Sequence, residues 1–193
     1  MRNEREWTAI LGVRLSQLPV MTRKIVQHRS PIHGNGVFAA TDIPKGTRVT
    51  RYRGKILTHE QANRRYGNDV DSGHTFLFTL NEKYLIDANE EGNIARWINH
   101  SCSPNCQAWV IEHDSKDPKR DQVVIESKRA IRKGEELTYD YGIVLEEPHT
   151  ARIKKIWQCR CGSPRCTGTI LKPKRKPKAK KAAKKAAAKK KAA

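Results

Sequence analysis

The sequence predicts a mostly β fold of the α+β class, followed by a disordered basic tail. Three observations support this prediction. Short runs rich in Val, Ile, Phe, Tyr and Thr recur along the chain and are broken by Gly, Pro and Asn. Strong helix signals are few. The last part of the chain passes from closely spaced cysteines into a stretch of Lys, Ala and Pro.

The predicted strands begin after an N-terminal extension, residues 1–22, to which the sequence assigns no role. Met21 precedes the first β-like run and could be the true start of the protein. The runs that predict strands are Lys24 to His28, Gly36 to Thr41, Thr47 to Arg51, Thr75 to Leu80, Tyr84 to Asp87, Ala108 to Glu112 and Val123 to Ser127.

One helix is predicted at Thr58 to Tyr66, because Thr58 can cap it and Gln61 stands three residues later in the capping-box relation. A short helical turn is expected at Asn93 to Ile98. Irregular structure is expected from Glu146 onward, and Pro173 and Pro177 indicate where the folded part ends.

The chain of 193 residues has room for one ordinary domain and a tail. Its net charge of +19 is concentrated at the C-terminus, where residues 172–193 contain 11 Lys, one Arg and no acid. With no large apolar residue to bury, this tail should be disordered alone. A cationic segment binds phosphate polymers by releasing their counterions, so non-specific DNA contact is its functional interpretation, and a solubilising tail is the alternative.

Cys159, Cys161 and Cys166 form a C-x-C-x4-C array that can supply three corners of a tetrahedral zinc site. The fourth corner must come from Cys102 or Cys106, and thiol chemistry alone does not separate these two. Five clustered cysteines fit zinc in a reducing, intracellular compartment better than a disulfide framework. The N-terminus has charges among its apolar residues and predicts neither a signal peptide nor a membrane span.

Two other motifs have more than one interpretation. Gly34 to Ala39 matches the dinucleotide pattern G-x-G-x-x-A, but Pro44 and Gly46 follow at once where a helix should begin, so we reject a Rossmann turn. The glycines instead predict close approach of the backbone to a ligand. Tyr139 and Tyr141, two apart, would point the same way on a strand and could pack in the core or form the wall of a channel.

Four motifs in order resemble the SET-domain protein lysine methyltransferases with a post-SET zinc module. The resemblance covers about residues 24 to 171, and it is carried by Ser30 to Phe38, Arg96 to Cys106, Glu136 to Tyr141 and Cys159 to Cys166. It implies the SET-domain β-clip, a fold of small curved sheets with a C-terminal pseudoknot that brings Asn99 and His100 beside Tyr141. The implied boundaries are 23–145 for the SET domain and 146–171 for the post-SET segment.

The resemblance also implies a cofactor and the residues that bind it. S-adenosylmethionine would be the methyl donor, and Zn²⁺ would be structural. Phe76 stands where the family usually has a donor-contacting Tyr. The residues that would contact the donor are His33, Asn35, Gly36, Val37, Phe76, Arg96, Asn99, His100 and Arg160. The zinc ligands would be Cys102, Cys159, Cys161 and Cys166.

Tyr141 would be the tyrosine nearest the transferring methyl group, and Tyr139 would limit how many methyl groups are added. The resemblance therefore predicts mono- or dimethylation of a lysine in a basic histone or histone-like protein. A catalytically inactive SET fold that binds DNA or shapes a nucleoid through its tail is the alternative. We expect a monomer or weak dimer that does not bind membranes, in a bacterial cytoplasm and nucleoid or in the nucleus of a host.

Overall fold

The computed structural model describes residues 23–67, 76–145 and 147–174. This part of the chain contains ten strands: β1 Ile25–Arg29, β2 Asn35–Ala39, β3 Arg48–Tyr52, β4 Lys55–Thr58, β5 Leu77–Thr79, β6 Tyr84–Asp87, β7 Asn99–His100, β8 Cys106–Ile111, β9 Gln122–Ser127 and β10 Glu136–Tyr139. It also contains two α-helices, α1 His59–Tyr66 and α2 Ala151–Ile156, and 3-10 turns at Ile94–Trp97 and Pro118–Arg120.

The strands form three small sheets, with the orders β1-β2-β10-β7, β3-β9-β8 and β4-β6-β5. Most neighbouring strands are antiparallel, as in β8 and β9, which pair along six residues. One main cluster of buried side chains lies among the sheets and includes Val37, Ile125 and Leu137, each with no exposed surface. The mostly β fold class predicted from the sequence is confirmed.

The helix prediction is also confirmed, because α1 begins directly after Thr58 and ends at Tyr66. The Thr58 hydroxyl accepts from the backbone N–H of Gln61 at 3.1 Å, and the Gln61 side chain accepts from the backbone N–H of Thr58 at 2.9 Å. Both halves of the capping box are therefore formed. The turn expected at Asn93 to Ile98 is the 3-10 turn at Ile94–Trp97.

The prediction of irregular structure from Glu146 onward was wrong in part, because α2 lies there. Thr150 caps it by accepting from the backbone N–H of Ile153 at 3.3 Å. Ile153 and Trp157 are buried against Leu171 in a cluster separate from the main core. A six-residue helix has little stability of its own. The packing against Leu171 stabilises α2, and the sequence of the helix itself gives no sign of that contact.

β7 and β10 pair in parallel, with Thr138 opposite Asn99 and Tyr139 opposite His100. The buried side chain of Asn105 fixes the second of these strands, β10. Its amide nitrogen donates to the backbone carbonyl of Glu136 at 2.8 Å, and its oxygen accepts from the backbone N–H of Thr138 at 2.8 Å. Asn105 thus holds β10 in the position from which Tyr141 continues.

Some expectations lie outside the described residues, namely the N-terminal extension and residues 175–193 of the tail. The domain boundaries at 22/23, 145/146 and 171/172 stay predictions. Among the residues that the structure describes, no helix has both the length and the apolar character needed to cross a lipid bilayer.

Replacing Asn105 with Asp should destabilise the protein by about 3 kcal/mol or more, because a buried carboxylate oxygen would face the Glu136 carbonyl in place of an N–H donor. Asn63→Asp on the exposed face of α1 is the matched control and should change stability by no more than about 0.5 kcal/mol. Chemical denaturation of the two variants measures the difference, and equal midpoints would refute the role given to Asn105.

Candidate active site and metal centre

A cavity of about 390 Å³ lies between the β1–β2 connection, β7 and the segment that contains α2. Its volume is within the range of small-molecule sites. Seven of the nine residues predicted to contact a donor line it: His33, Asn35, Phe76, Arg96, Asn99, His100 and Arg160. We call it the first cavity.

Gly36 and Val37, the other two predicted donor contacts, are not among the described residues that line the first cavity. Val37 is fully buried in the core. A side chain at Gly36 would collide with the carboxylate of Glu136. Gly36 therefore allows close packing on Glu136, whereas Gly34, with φ +52°, lines the cavity itself.

The side chain of Asn99 organises the cavity wall. Its amide nitrogen donates to the backbone carbonyls of His33 at 3.2 Å and Asn35 at 3.0 Å, and to the Glu136 carboxylate at 2.8 Å. Glu136 also accepts from the Ser30 hydroxyl at 2.7 Å. These bonds tie the loop between β1 and β2 to the central strands. Sequence reasoning gave no role to Glu136, although it is the first residue of a motif that it had singled out.

His100 is buried, and burial lowers its pKa, as does nearby Lys172, against the opposing effect of Asp140. It is therefore neutral at pH 7. Its Nδ1 atom accepts from the backbone N–H of Tyr141 at 3.2 Å, and its Nε2 atom lies 3.6 Å from the Sγ atom of Cys102. His100 joins the active-site strands to the cysteine cluster described below.

Arg96 forms part of the wall near the aromatic residues. Its guanidinium group lies 4.5 Å from the ring centre of Trp97 and 5.5 Å from that of Phe76, and it donates to the backbone carbonyl of Ala88 at 2.8 Å. Cation–π contacts and this hydrogen bond hold the positive charge in a fixed place.

The remaining wall of the first cavity comes from the α2 segment, and sequence reasoning missed it except for Arg160. The residues concerned are Lys155, Ile156, Trp157, Gln158, Cys159 and Ile170. The Trp two residues before the cysteine array was the one signal available in the sequence. Four cationic side chains and no carboxylate are found among the described residues that line this cavity, the cations being Arg29, Arg96, Lys155 and Arg160.

A second cavity of about 440 Å³ adjoins the first. Arg96, Tyr141 and Ile143 line both cavities, and these three residues therefore stand where the two meet. The other residues of the second cavity are Tyr52, Leu77, Phe78, Thr79, Tyr139, Gly142 and Val144. Among the described lining residues, Arg96 is the one with a formal charge.

The aromatic rings of the second cavity are in contact with one another. The ring centres of Tyr139 and Tyr141 are 4.9 Å apart, and those of Phe78 and Tyr139 are 6.2 Å apart. The Tyr141 hydroxyl donates to the backbone carbonyl of Ile98 at 2.9 Å. Tyr141 thus lines both cavities, and its hydroxyl oxygen lies beside a backbone carbonyl oxygen.

The three tyrosine hydroxyls of this region remain protonated at physiological pH. Burial is the main reason that the pKa values of Tyr52, Tyr139 and Tyr141 are raised well above that of a free phenol. The proximity of Tyr141 also raises the pKa values of the other two. Such neutral phenols can donate and accept hydrogen bonds, but they cannot serve as bases near neutral pH.

Four sulfur atoms meet near the C-terminal segment. The Sγ atoms of Cys102, Cys159, Cys161 and Cys166 all lie within 4.8 Å of one another, and no disulfide joins them. Those of Cys102 and Cys159 are 3.8 Å apart. A tetrahedral zinc ion with Zn–S bonds of about 2.3 Å places its sulfurs about 3.8 Å apart. The four thiols therefore fit a structural metal ion, for which they would supply a complete tetrahedral shell.

The pKa of the Cys161 thiol is shifted below its ordinary value. Burial would raise its pKa, but hydrogen bonds from the backbone N–H groups of Cys102 and Ser163 lower it to about 6. Cys106 lies elsewhere, fully buried at the start of β8, and burial raises its pKa to about 12. The structure thus brings Cys102 and not Cys106 to the other three cysteines, which thiol chemistry alone left undecided.

Comparison with known proteins connects this geometry to a family. The SET domain family matches residues 34–142. Histone-lysine N-methyltransferase 2D of Homo sapiens is 43% identical over 139 residues, which are 72% of this chain and 2% of that protein. The H3 lysine-4 specific histone-lysine N-methyltransferase of Schizosaccharomyces pombe is 39% identical over 173 residues, or 82% of this chain and 18% of that protein.

A solved structure, described as ctPRC2 in an autoinhibited conformation bound to S-adenosylmethionine, resembles the fold with a TM-score of 0.55 and 29% sequence identity. The similarity covers 63% of this chain and 15% of that one. This chain thus spans a small fraction, from 2% to 18%, of the relatives described here.

If the cysteine cluster holds a metal ion, the purified protein should contain one zinc ion per chain. Elemental mass spectrometry measures this zinc content. Cys102→Ser should lower that content strongly, because three thiolates leave one corner of the tetrahedron to a weaker ligand. Cys106→Ala is the matched control and should keep the zinc. Loss of zinc from the Cys106 variant, or retention by the Cys102 variant, would contradict the ligand set.

Proposed function

The chain belongs to the SET-domain family, and from this premise we propose that it is a protein-lysine N-methyltransferase that uses S-adenosylmethionine. The observation that carries the proposal is the junction of the two cavities, where Tyr141 lies between a polar pocket and an aromatic channel and donates to the Ile98 carbonyl. A donor and an acceptor that enter from opposite sides would meet there.

We assign the donor to the first cavity. Its cationic lining suits the carboxylate of an amino-acid group, and the apolar side chains of Trp157 and Ile156 suit a flat base. Asn99 would act mainly through the backbone of His33 and Asn35, which it holds in place. Phe76 cannot supply the hydroxyl of the usual tyrosine, and its ring contacts Arg96 and Trp97 instead.

We assign a structural zinc ion to Cys102, Cys159, Cys161 and Cys166. With four thiolates the ion would have no open position for water, and its task would be to fix the post-SET segment. That segment supplies Trp157 and Arg160 to the first cavity. Metal binding would therefore complete the donor site without taking part in the chemistry.

The second cavity would admit the acceptor lysine. The donor supplies a methyl group on a positively charged sulfur atom. The hydroxyl of Tyr141 and the carbonyl of Ile98 would present oxygen atoms to that positive charge, and together they would align the amine nitrogen with the carbon.

The acceptor amine must be neutral to attack. Transfer of an ammonium group from water into an aromatic channel lowers its pKa by desolvation, and the fixed charge of Arg96 acts in the same direction. The proton would leave to solvent before the lysine is fully seated. Since the phenols stay protonated, no side chain of the second cavity needs to act as a base.

Tyr139 would limit the product to mono- or dimethyl-lysine. It is buried, and its ring lies against Tyr141 where the amine would be placed. The volume of a third methyl group would compete with the Tyr139 hydroxyl for the same space.

We propose a histone or histone-like protein as the substrate, since the relatives are named as histone-lysine methyltransferases. The place of action would be intracellular, in a nucleus or on a bacterial nucleoid, and residues 172–193 would add a weak, salt-sensitive contact with DNA. A monomer or weak dimer fits the exposed large apolar side chains of the described part, which number four: Ile56, Trp109, Val110 and Val144.

The alternative of a catalytically inactive fold that only binds DNA has no support from the relatives. The residues that the transfer needs are present, and the Tyr141–Ile98 hydrogen bond is formed. A binding module would have no use for two cavities that meet at a tyrosine hydroxyl. We therefore favour the enzyme.

Incubation with labelled S-adenosylmethionine and a lysine-rich histone peptide should transfer label to lysine. Tyr141→Phe should lower the rate by at least about 100-fold, since it removes the one hydroxyl at the junction of the cavities. Tyr84→Phe, outside both cavities, is the control and should keep the rate. An active Tyr141→Phe enzyme would refute the mechanism, and an inactive wild type on every lysine-rich protein tried would refute the function.

Tyr139→Phe should shift the product toward trimethyl-lysine, because loss of the hydroxyl enlarges the channel beside the amine. Mass spectrometry of the peptide product measures the distribution. The total rate should change by less than about tenfold, as the hydroxyl is not required for alignment. Trimethyl-lysine as the main product of the wild type would overturn the assignment.

A further inference from the structure

We propose that the folded domain carries a surface that binds double-stranded DNA and lies apart from both cavities. Two neighbouring turns form this surface, and its exposed cations are Lys45, Arg48, Lys128, Arg132 and Lys133. We call it the twin-turn surface. The inference goes beyond the proposed function, because a duplex could bind to these residues without any methyl transfer.

Backbone hydrogen bonds hold the two turns side by side. Ile43 and Ile131 form an antiparallel bridge, in which the N–H of each donates to the carbonyl of the other at 2.8 Å. Further along, the N–H of Gly46 donates to the carbonyl of Ser127, also at 2.8 Å. The side chains of Ile43, Ile131 and Ser127 are almost completely buried. The two turns are therefore fixed parts of the fold.

Each turn has a lysine at its tip. Lys45 precedes Gly46 and Lys133 precedes Gly134, and the φ values of the two glycines are +75° and +83°. Glycine adopts such values without strain and so allows each turn to close. Because the bridge is antiparallel, the two lysines lie four positions apart along it. At about 3.3 Å per residue, their backbones are separated by up to about 13 Å.

The positive charge of this surface is largely uncompensated. Residues 42–48 and 127–135 contain six cations and two carboxylates, a net charge of +4. The sixth cation, Arg129, forms an ion pair with one of the carboxylates, Glu135. Within the described part of the chain, the other five cations form no ion pair. Like charges held close together repel one another, and a bound polyanion would relieve that repulsion.

The chemistry of the twin-turn surface favours a DNA duplex as the polyanion. A protein partner is commonly anchored by aromatic side chains, and single-stranded nucleic acid stacks its bases on aromatic rings. The exposed large apolar side chains of the described part lie outside the two turns; they are Ile56, Trp109, Val110 and Val144. Lys and Arg alone suit phosphate groups. The separation of the two tips also approaches the width of the major groove of B-DNA, about 12 Å.

The twin-turn surface lies away from the candidate active site. Gly134 stands before the first residue of β10 and Tyr141 after the last, so the two are seven residues apart, or up to about 23 Å along an extended chain. None of the five cations is among the described residues that line either cavity. Replacing them should therefore leave methylation of a free peptide unchanged.

The test measures the affinity of the full chain for a short DNA duplex at several salt concentrations. Lys45→Gln, Lys128→Gln and Lys133→Gln together should lower the slope of log affinity against log salt by about 2 to 3, because each lost phosphate contact removes about 0.9. The tail is present in every variant, so its contribution to the slope is the same. Arginine at the same three positions keeps the charge and should keep the slope.

The matched control replaces Lys83, Lys116 and Lys119 with glutamine. It removes the same charge from a region that also contains the carboxylates of Asp117 and Asp121, and it should leave the slope unchanged. All variants should unfold at the denaturant midpoint of the wild type and methylate a free peptide at its rate.

Three results would overturn the inference. An equal loss of slope in the two glutamine variants would mean that net charge alone matters, and an unchanged slope in both would mean that the twin-turn surface does not bind DNA. Tighter binding of single-stranded DNA or of an acidic polypeptide would mean that the partner is not a duplex. Each of these results leaves the proposed function standing, and failure to methylate any peptide would leave the binding inference intact.

Discussion

The parallel pairing of β7 with β10 is the constraint on which the rest of the site depends. It places Asn99 and His100 beside Thr138 and Tyr139, with Tyr141 two residues further along. The two segments are about forty residues apart in sequence, so no local interaction could bring them together. Asn105 adds two hydrogen bonds to the backbone of β10. Because these polar groups are buried, any other register would leave them without partners, at a cost of several kcal/mol.

The cysteine cluster extends this constraint to the C-terminal segment. Cys102 follows His100 by two residues, so a metal bound to it and to Cys159 would join β7 directly to the segment that bears Trp157 and Arg160. The small apolar cluster around Leu171 then fixes the same segment from the other side. With a metal bound, this wall of the first cavity would be held by metal ligation at one end and by packing on Leu171 at the other.

The sequence allowed prediction of those features that local residue patterns encode. The capping box of Thr58 and Gln61 predicted α1, and the spacing of the cysteines predicted three members of the metal-binding cluster. The sequence did not show α2, because its stability comes from contacts with Leu171. Nor did it show that Ile143 lines both cavities, since tertiary structure alone pairs that residue with Leu171. The family resemblance supplied Cys102, where thiol chemistry alone left a choice.

The distribution of charge in the second cavity would explain how it could favour a neutral amine without a side chain that acts as a base. A carboxylate in the second cavity would bind an ammonium ion well, but it would also raise the pKa of that ammonium and stop it from losing its proton. Arg96 has the opposite effect, since its guanidinium group is always charged and is held between Trp97 and the Ala88 carbonyl. The oxygens of Tyr141 and Ile98 carry only partial negative charge, enough to orient an N–H or a polarised methyl group and too little to fix a full cation. A lining of this kind would admit any lysine that can reach it, so the choice of substrate would lie in what delivers the lysine to the channel.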